Sequence, residues 1–374
     1  PEGMLGVAWP DMQGAFGVTE GAVGALLMPA SVAFILTSLL VGQLISRFGI
    51  AALLIAGCLI RSVGLLGYAA APEWWIIVGM AAFVGVGSGL IDAGMNTHFA
   101  VSYNERLMNW LHASFGLGAT IGPLLMAALF GMNASWRVGY AIVGVLQATM
   151  VLGILATTAG WRLPSSTIDG AAGSVPVKAA SPRETLGKLN VWLGIAVFFV
   201  YAGMEVTAGL WSYSLFTEAR GIDPVTASRW VAIYWGSFTV GRLVFGFVAD
   251  HWPTTPMVRT VMIVAVFSSA LIWWNPVNWV SFAGLALLGF AMAPVFPLLT
   301  SATEKRLSRR YALNAIGFQV GAASLGIAAL PGLAGILAER FGLEIIGPYL
   351  VVGSLLMLVL HETIVPRGGV KREA

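Results

Sequence analysis

The sequence predicts an all-α polytopic membrane protein with twelve transmembrane helices in two six-helix halves. Three observations carry that prediction. Of 374 residues, 58% are apolar and only 10% are Asp, Glu, Lys or Arg, where a soluble domain has about 25% charged residues. The apolar positions form continuous runs of the roughly 20 residues that a helix needs to cross a bilayer. Barrel strands would instead alternate apolar and polar positions over about ten residues. Finally, one long stretch rich in Ser, Ala, Gly and Pro divides the runs six and six. This composition excludes a disordered chain and an ordinary soluble enzyme. The single cysteine, Cys58, excludes an internal disulfide or a Cys-based metal cage. A net charge of +3 is no nucleic-acid signature.

The twelve runs fall near 1–16, 20–45, 50–70, 74–98, 108–130, 136–158, 191–215, 228–249, 257–274, 279–299, 312–336 and 344–361. The first is short. Sixteen helical residues rise about 24 Å, less than the ~30 Å hydrocarbon core, so the sequence reads as starting partway through helix 1. Pro10, Pro29, Pro123, Pro294, Pro297 and Pro331 interrupt runs, and in a membrane they are expected to kink helices rather than end them. Trp74, Trp75, Trp273, Trp274 and Trp279 fall at run ends, as an interfacial aromatic belt does.

Basic residues sort by loop. Fourteen of the 20 Lys and Arg lie in one alternating set of loops and termini, four in the other, and Arg61 and Arg242 lie inside runs. By the positive-inside rule the first set is cytoplasmic, with both termini inside. The domain layout is then an N-terminal bundle over 1–158, a cytoplasmic linker over 159–190, a C-terminal bundle over 191–364 and a tail over 365–374.

The halves repeat. Gly17 to Gly42 and Gly221 to Gly246 span the same distance around one helix each, and Arg106-Leu107 recurs as Arg306-Leu307. Parallel repeats of this kind are one transporter layout. After the second helix stand Gly42, Leu44, Ser46, Arg47 and Gly49, and the matching stretch of the second half has Gly246, Asp250 and His251. These resemble the G-x-L-x-D-R-x-G signature of the major facilitator superfamily, with Ser46 and His251 as departures. Within it, Gly89-Leu90-Ile91-Asp92-Ala93-Gly94-Met95-Asn96, Ser114-Phe115-Gly116, Tyr201-Ala202-Gly203-Met204-Glu205 and Gly241-Arg242-Leu243 are similar to segments of the fucose permease group of sugar–proton symporters. The resemblance implies alternating access, a monomer, and a proton-coupling acid at Asp92.

Charge inside a bilayer is costly, so each buried ionisable residue requires an explanation. Asp92 is the first candidate for proton coupling, as an acid that loads and releases protons in a dry pocket, or else a partner of Arg61 in a structural ion pair. Glu2 is the second, as a proton site or a binder of solute hydroxyls. Glu205 reads as a solute contact from the seventh helix or as a helix-packing hydrogen bond. Asn96, His112, Tyr201, Trp211, Tyr234, Asn314 and Gln319 complete the candidate solute pocket. Amides offer both donors and acceptors to hydroxyls, and aromatic faces pack on apolar solute faces. Arg47, Arg242 and Asp250 are gate candidates. Nothing points to a metal or an organic cofactor. The coupling ion is read as a proton, with sodium as the other cation class.

The reading is therefore a secondary active transporter in the cell's inner (plasma) membrane. It moves a small polar solute, a sugar in the first instance, with proton coupling. The alternative is a proton-driven exporter of drugs or metabolites. No nucleophile, base and orienting group come together in the sequence, so no enzyme is expected.

Overall fold

The structure, a computed structural model, describes residues 2–102, 105–157, 161, 180–248, 251–307 and 309–365. The described residues are helical apart from short turns. In the first half, α1 is Glu2–Phe16, α2 Ala22–Phe48, α3 Ile50–Ala70, α4 Trp74–Ser102, α5 Glu105–Gly131 and α6 Trp136–Ala156. A short helix, α7 (Pro182–Leu186), precedes the second half. There α8 is Leu189–Ser214, α9 Pro224–Val248, α10 Thr254–Trp274, α11 Asn278–Met292, α12 Val295–Arg306, α13 Arg309–Phe341 and α14 Ile346–Ile364.

Among the described residues, eleven segments are long and apolar enough to cross a membrane, with α11 and α12 forming one of them. α1, with 15 residues, is the remaining helix of the twelve-helix arrangement. Four prolines do not end their helices: Pro10, Pro29, Pro123 and Pro331 lie inside them. Pro294 differs. It caps α12, and the predicted run 279–299 becomes two helices that break at Ala293–Pro294. Without an N–H, Pro294 cannot continue the ladder.

Packing repeats between the halves. In the first, α2 and α3 pack on α4, α3 on α6, and α1 on α5. In the second, α9 and α10 pack on α11, α10 on α14, and α8 on α13. Glycine makes these approaches close, as small residues do between membrane helices. A Cβ on Gly85 would overlap the Ala30 carbonyl oxygen, and one on Gly289 the Tyr234 carbonyl oxygen. The two contacts are the same contact, each residue shifted equally along the chain (85 to 289, 30 to 234). Gly85→Ala is expected to cost about 1–3 kcal/mol through overpacking against backbone, read as a lower unfolding temperature in detergent. Gly79→Ala, where nothing lies within 4 Å, should cause no loss.

The halves meet along α2–α13, α5–α9 and α1–α8. Contact is tight at the end where α1 turns into α2. There Gly24 and Gly332 touch through their backbones, and Gly335 lies against Glu20. At the other end, the linker end, a Cβ on Gly42 of α2 or on Gly317 or Gly321 of α13 would meet nothing within 4 Å. The halves are thus in backbone contact at the far end and clear of one another at these three glycines of the linker end.

Most of the predicted linker lies outside the described residues. Its last part is tied to α13. Ser181 and Glu184 form a capping box that starts α7, with Pro182 in its first turn. Arg310 meets Glu184 at 3.2 Å, and the Asn314 amide donates to the Ala180 carbonyl oxygen at 2.7 Å.

Candidate functional site

The polar centre of the second half lies between α8 and α9. The Tyr234 hydroxyl donates to the carbonyl oxygen of Glu205 at 2.8 Å, joining the two helices side by side. Tyr201 stands one turn before Glu205, and its hydroxyl lies against the Glu205 carboxylate without reaching full hydrogen-bond geometry. Arg242, two turns beyond Tyr234 on α9, places its charge near the same carboxylate. Its guanidinium rests 4.6 Å above the Phe238 ring.

Aromatic residues wall this cluster. Phe296, just after the break at Pro294, packs on Phe198 and Tyr201. Trp235 covers Gly209, where a Cβ would collide with its ring. Three buried donors here reach no hydrogen-bond partner among the described residues: the Tyr201 hydroxyl, Arg242 Nε and Trp235 Nε1. Unpaired buried donors are uncommon and require an occupant or a function. Together with the Glu205 carboxylate they form a set of donors, one strong acceptor and ring faces.

The structure brings four predicted residues together: Tyr201, Glu205, Tyr234 and Arg242. Arg242, read from the sequence as a gate residue, has its charge near the Glu205 carboxylate. Asp250 lies outside the described residues. The backbones of Glu2 and His112 belong to α1 and α5, and their side chains lie outside the described residues. Asp92 is exposed on α4, where a dry enclosure was expected. Asn96 follows it one turn later, half-buried. Arg61 is half-buried on α3, beside Gly87 of α4. Arg47 is exposed at the end of α2, over the Phe48 ring.

Three further candidates are held elsewhere. Asn314 binds the end of the linker. Trp211 donates from Nε1 to the Pro331 carbonyl oxygen at 3.0 Å, within the far-end packing of α8 on α13. Gln319 is buried, and its Oε1 accepts from the Thr303 hydroxyl at 3.1 Å.

Sequence reasoning missed Phe296 and Glu339. The prolines at 294 and 297 were the available signal for the first. For the second it was an acid three residues past the end of the eleventh run. The Gly21 backbone N–H donates to Glu339 Oε1 at 2.6 Å, so a residue of the second half caps α2 of the first. Asp11, an acid on α1, was also passed over; it is exposed and electrostatically near Tyr213.

A bundle of membrane-crossing helices, repeated in two halves and closed at one end around a polar centre, is the architecture of a secondary transporter. The sequence profile of the Major Facilitator Superfamily matches residues 2–311 and 193–372, and the chain belongs to that superfamily of transporters, which are not enzymes. It is 24% identical over 373 residues to the yeast "Bypass of stop codon protein 6", covering 89% of this chain and 73% of the relative. It is 27% identical over 351 residues to the zebrafish "Sodium-dependent glucose transporter 1", covering 83% of this chain but only 58% of that protein's length. The Bacillus subtilis "Glucose/mannose transporter GlcP" is 24% identical over 341 residues, covering 87% of this chain and 81% of the relative. Among solved structures, the nucleoside transporter NupG (D323A mutant) superposes with a TM-score of 0.81 at 12% identity, covering 98% of this chain and 96% of that one. At that identity the likeness speaks for the fold.

Proposed function

We propose that the protein moves a sugar across the cell's inner membrane by alternating access, coupled to proton movement. The observation that carries the reading is the cluster of Glu205, Tyr201 and Arg242 under aromatic walls. A sugar presents many hydroxyls, each donor and acceptor, and one or two apolar C–H faces. Glu205 accepts from hydroxyls, and Tyr201 and Arg242 donate to hydroxyl oxygens. Phe296 and Trp235 supply ring faces. Relatives bearing glucose-transporter names support the same solute class.

With the linker cytoplasmic, the end at which the halves meet backbone to backbone is the outer one. Asp92 and Glu2 are the proposed proton sites, and Arg47 and Asp250 the proposed gate. Exposure of Asp92 in this state fits an acid that exchanges its proton with the inner solution. Asn96 extends the same surface of α4. A second reading, sodium coupling, is favoured by the "sodium-dependent" name of one group of relatives.

The test is uptake of labelled hexoses into proteoliposomes under an imposed proton gradient or an imposed sodium gradient. Proton-driven accumulation is expected. Asp92→Asn should abolish that accumulation while leaving solute exchange measurable. Accumulation driven by sodium alone would replace the proton reading, and absence of hexose exchange under every condition would remove the sugar.

A further inference from the structure

We propose that the linker end of the second half binds a small monovalent anion of chloride size, held by Arg306. The inference is independent of the transported solute. Its site is a cavity of about 20 Å³ between α8, α12, α13 and α14, room for a single water-sized occupant. Val197, Leu299 and Ile364 make its walls apolar, and Arg306, Gln319 and Asn190 carry the N–H donors that line it.

The chemistry of the lining is one-sided. Arg306 Nη2 is buried and reaches no partner. Gln319 is only 2% exposed. Its Oε1 is engaged by the Thr303 hydroxyl, which leaves its Nε2 as the free end, seated against Gly194. His361, fully buried on α14, lies in the field of Arg306 and beside the Thr255 backbone, and neither ring nitrogen makes a hydrogen bond.

Among the described residues, two carboxylates of the adjoining helices are committed to other arginines. Glu362 holds Arg259 through both oxygens, at 2.7 and 2.8 Å. Glu184 holds Arg310. Among the described residues no carboxylate pairs with Arg306. A half-buried guanidinium whose Nη2 is shut from solvent without a counter-ion is unfavourable, and convergent donors with apolar walls are the complement of an anion. The size of the cavity selects a halide over a phosphate group, whether free or on a lipid.

The experiment uses the full chain purified in detergent, with gluconate as the only anion and ionic strength and pH held constant. Added chloride is expected to raise the unfolding temperature saturably, by about 2 °C or more, and bromide should act alike. Crystals soaked in bromide should show an anomalous peak beside Arg306. Arg306→Gln should remove both signals. If that variant does not fold, Gln319→Met, which keeps the guanidinium, should weaken the apparent chloride affinity about tenfold, the change that loss of one hydrogen bond to a charged group produces. The proposal is overturned by a chloride-independent unfolding temperature or by an equal response in Arg306→Gln. A phosphate or anionic-lipid response matching that of chloride, or unchanged affinity in Gln319→Met, also overturns it. Failure of hexose transport leaves every one of these readings intact.

Discussion

Glu205→Leu is expected to weaken solute binding about 10- to 100-fold and to destabilise the protein. Glu205→Leu combined with Arg242→Leu should regain the stability but not the binding. The two effects have different origins. A hydrogen bond to a charged group contributes about 1.5–3 kcal/mol, and each 1.4 kcal/mol is about tenfold in affinity. The stability effect comes from Arg242. Its Nε is already buried without a partner, and the Glu205 carboxylate is the charge that faces it. Removing one member of a buried charged pair costs about 3–5 kcal/mol, whereas replacing both with apolar groups is often neutral. The Tyr234 bond goes to the Glu205 carbonyl oxygen, so the α8–α9 junction survives either change. Solute-induced thermal shifts and counterflow exchange provide the binding readout, and the unfolding temperature without solute provides the other. Recovery of both stability and exchange in the double variant would reduce the pair to a structural one and move the solute site elsewhere.

The sequence shows the helices more plainly than the site. A bilayer-length apolar run is a local property, so α2 to α6 fall close to the predicted runs. The equal spacing of Gly17 and Gly42 with Gly221 and Gly246 announces the repeat that packing confirms at Gly85 and Gly289. The break at Pro294 is different. Pro10, Pro29, Pro123 and Pro331 have the same local chemistry and remain inside helices, so the outcome depends on what surrounds each proline. The linker helix α7 was legible and overlooked: Ser181-Pro182-Arg183-Glu184 is a capping box with a first-turn proline.

Ionisable residues inside runs can be found from sequence, because their cost makes each one conspicuous. Their direction cannot. Arg242 precedes Asp250 by eight positions in the sequence, which suggested a gate, yet its charge stands near Glu205. Asn314 and Gln319 have the same amide chemistry, and one is spent on the linker while the other faces Thr303. Glu339 escaped notice because its partner is a backbone N–H 318 positions away. No spacing rule reaches that far.

Gly332→Leu is expected to lower transport about 10- to 100-fold while leaving each half folded. Gly332 lies on α13 where it crosses α2, and a Cβ there would stand 2.9 Å from the Gly24 Cα. Backbone meets backbone at this point, so no rotamer change relieves the overlap. Overpacking of that kind costs about 1–3 kcal/mol, and the cost falls on the far-end seal, because the atoms that collide belong to opposite halves. A state made less favourable by 1–3 kcal/mol loses roughly 5- to 150-fold in relative population, and a carrier that must visit it slows accordingly. Glu339→Gln tests the same seal more gently. Gly21, the N-cap of α2, has no side chain, and the Glu339 carboxylate takes that place from across the interface. Capping by a carboxylate contributes about 1 kcal/mol, so a shift of about fivefold is expected. A cysteine introduced at Gln13, half-buried in the last turn of α1, reports the opening through labelling by a membrane-impermeant maleimide. Background is low because the one native thiol, Cys58, is buried. Labelling should rise most in Gly332→Leu, less in Glu339→Gln and least in the parent. Equal labelling and undiminished transport in Gly332→Leu would mean that the cycle never requires α2 and α13 to close on each other.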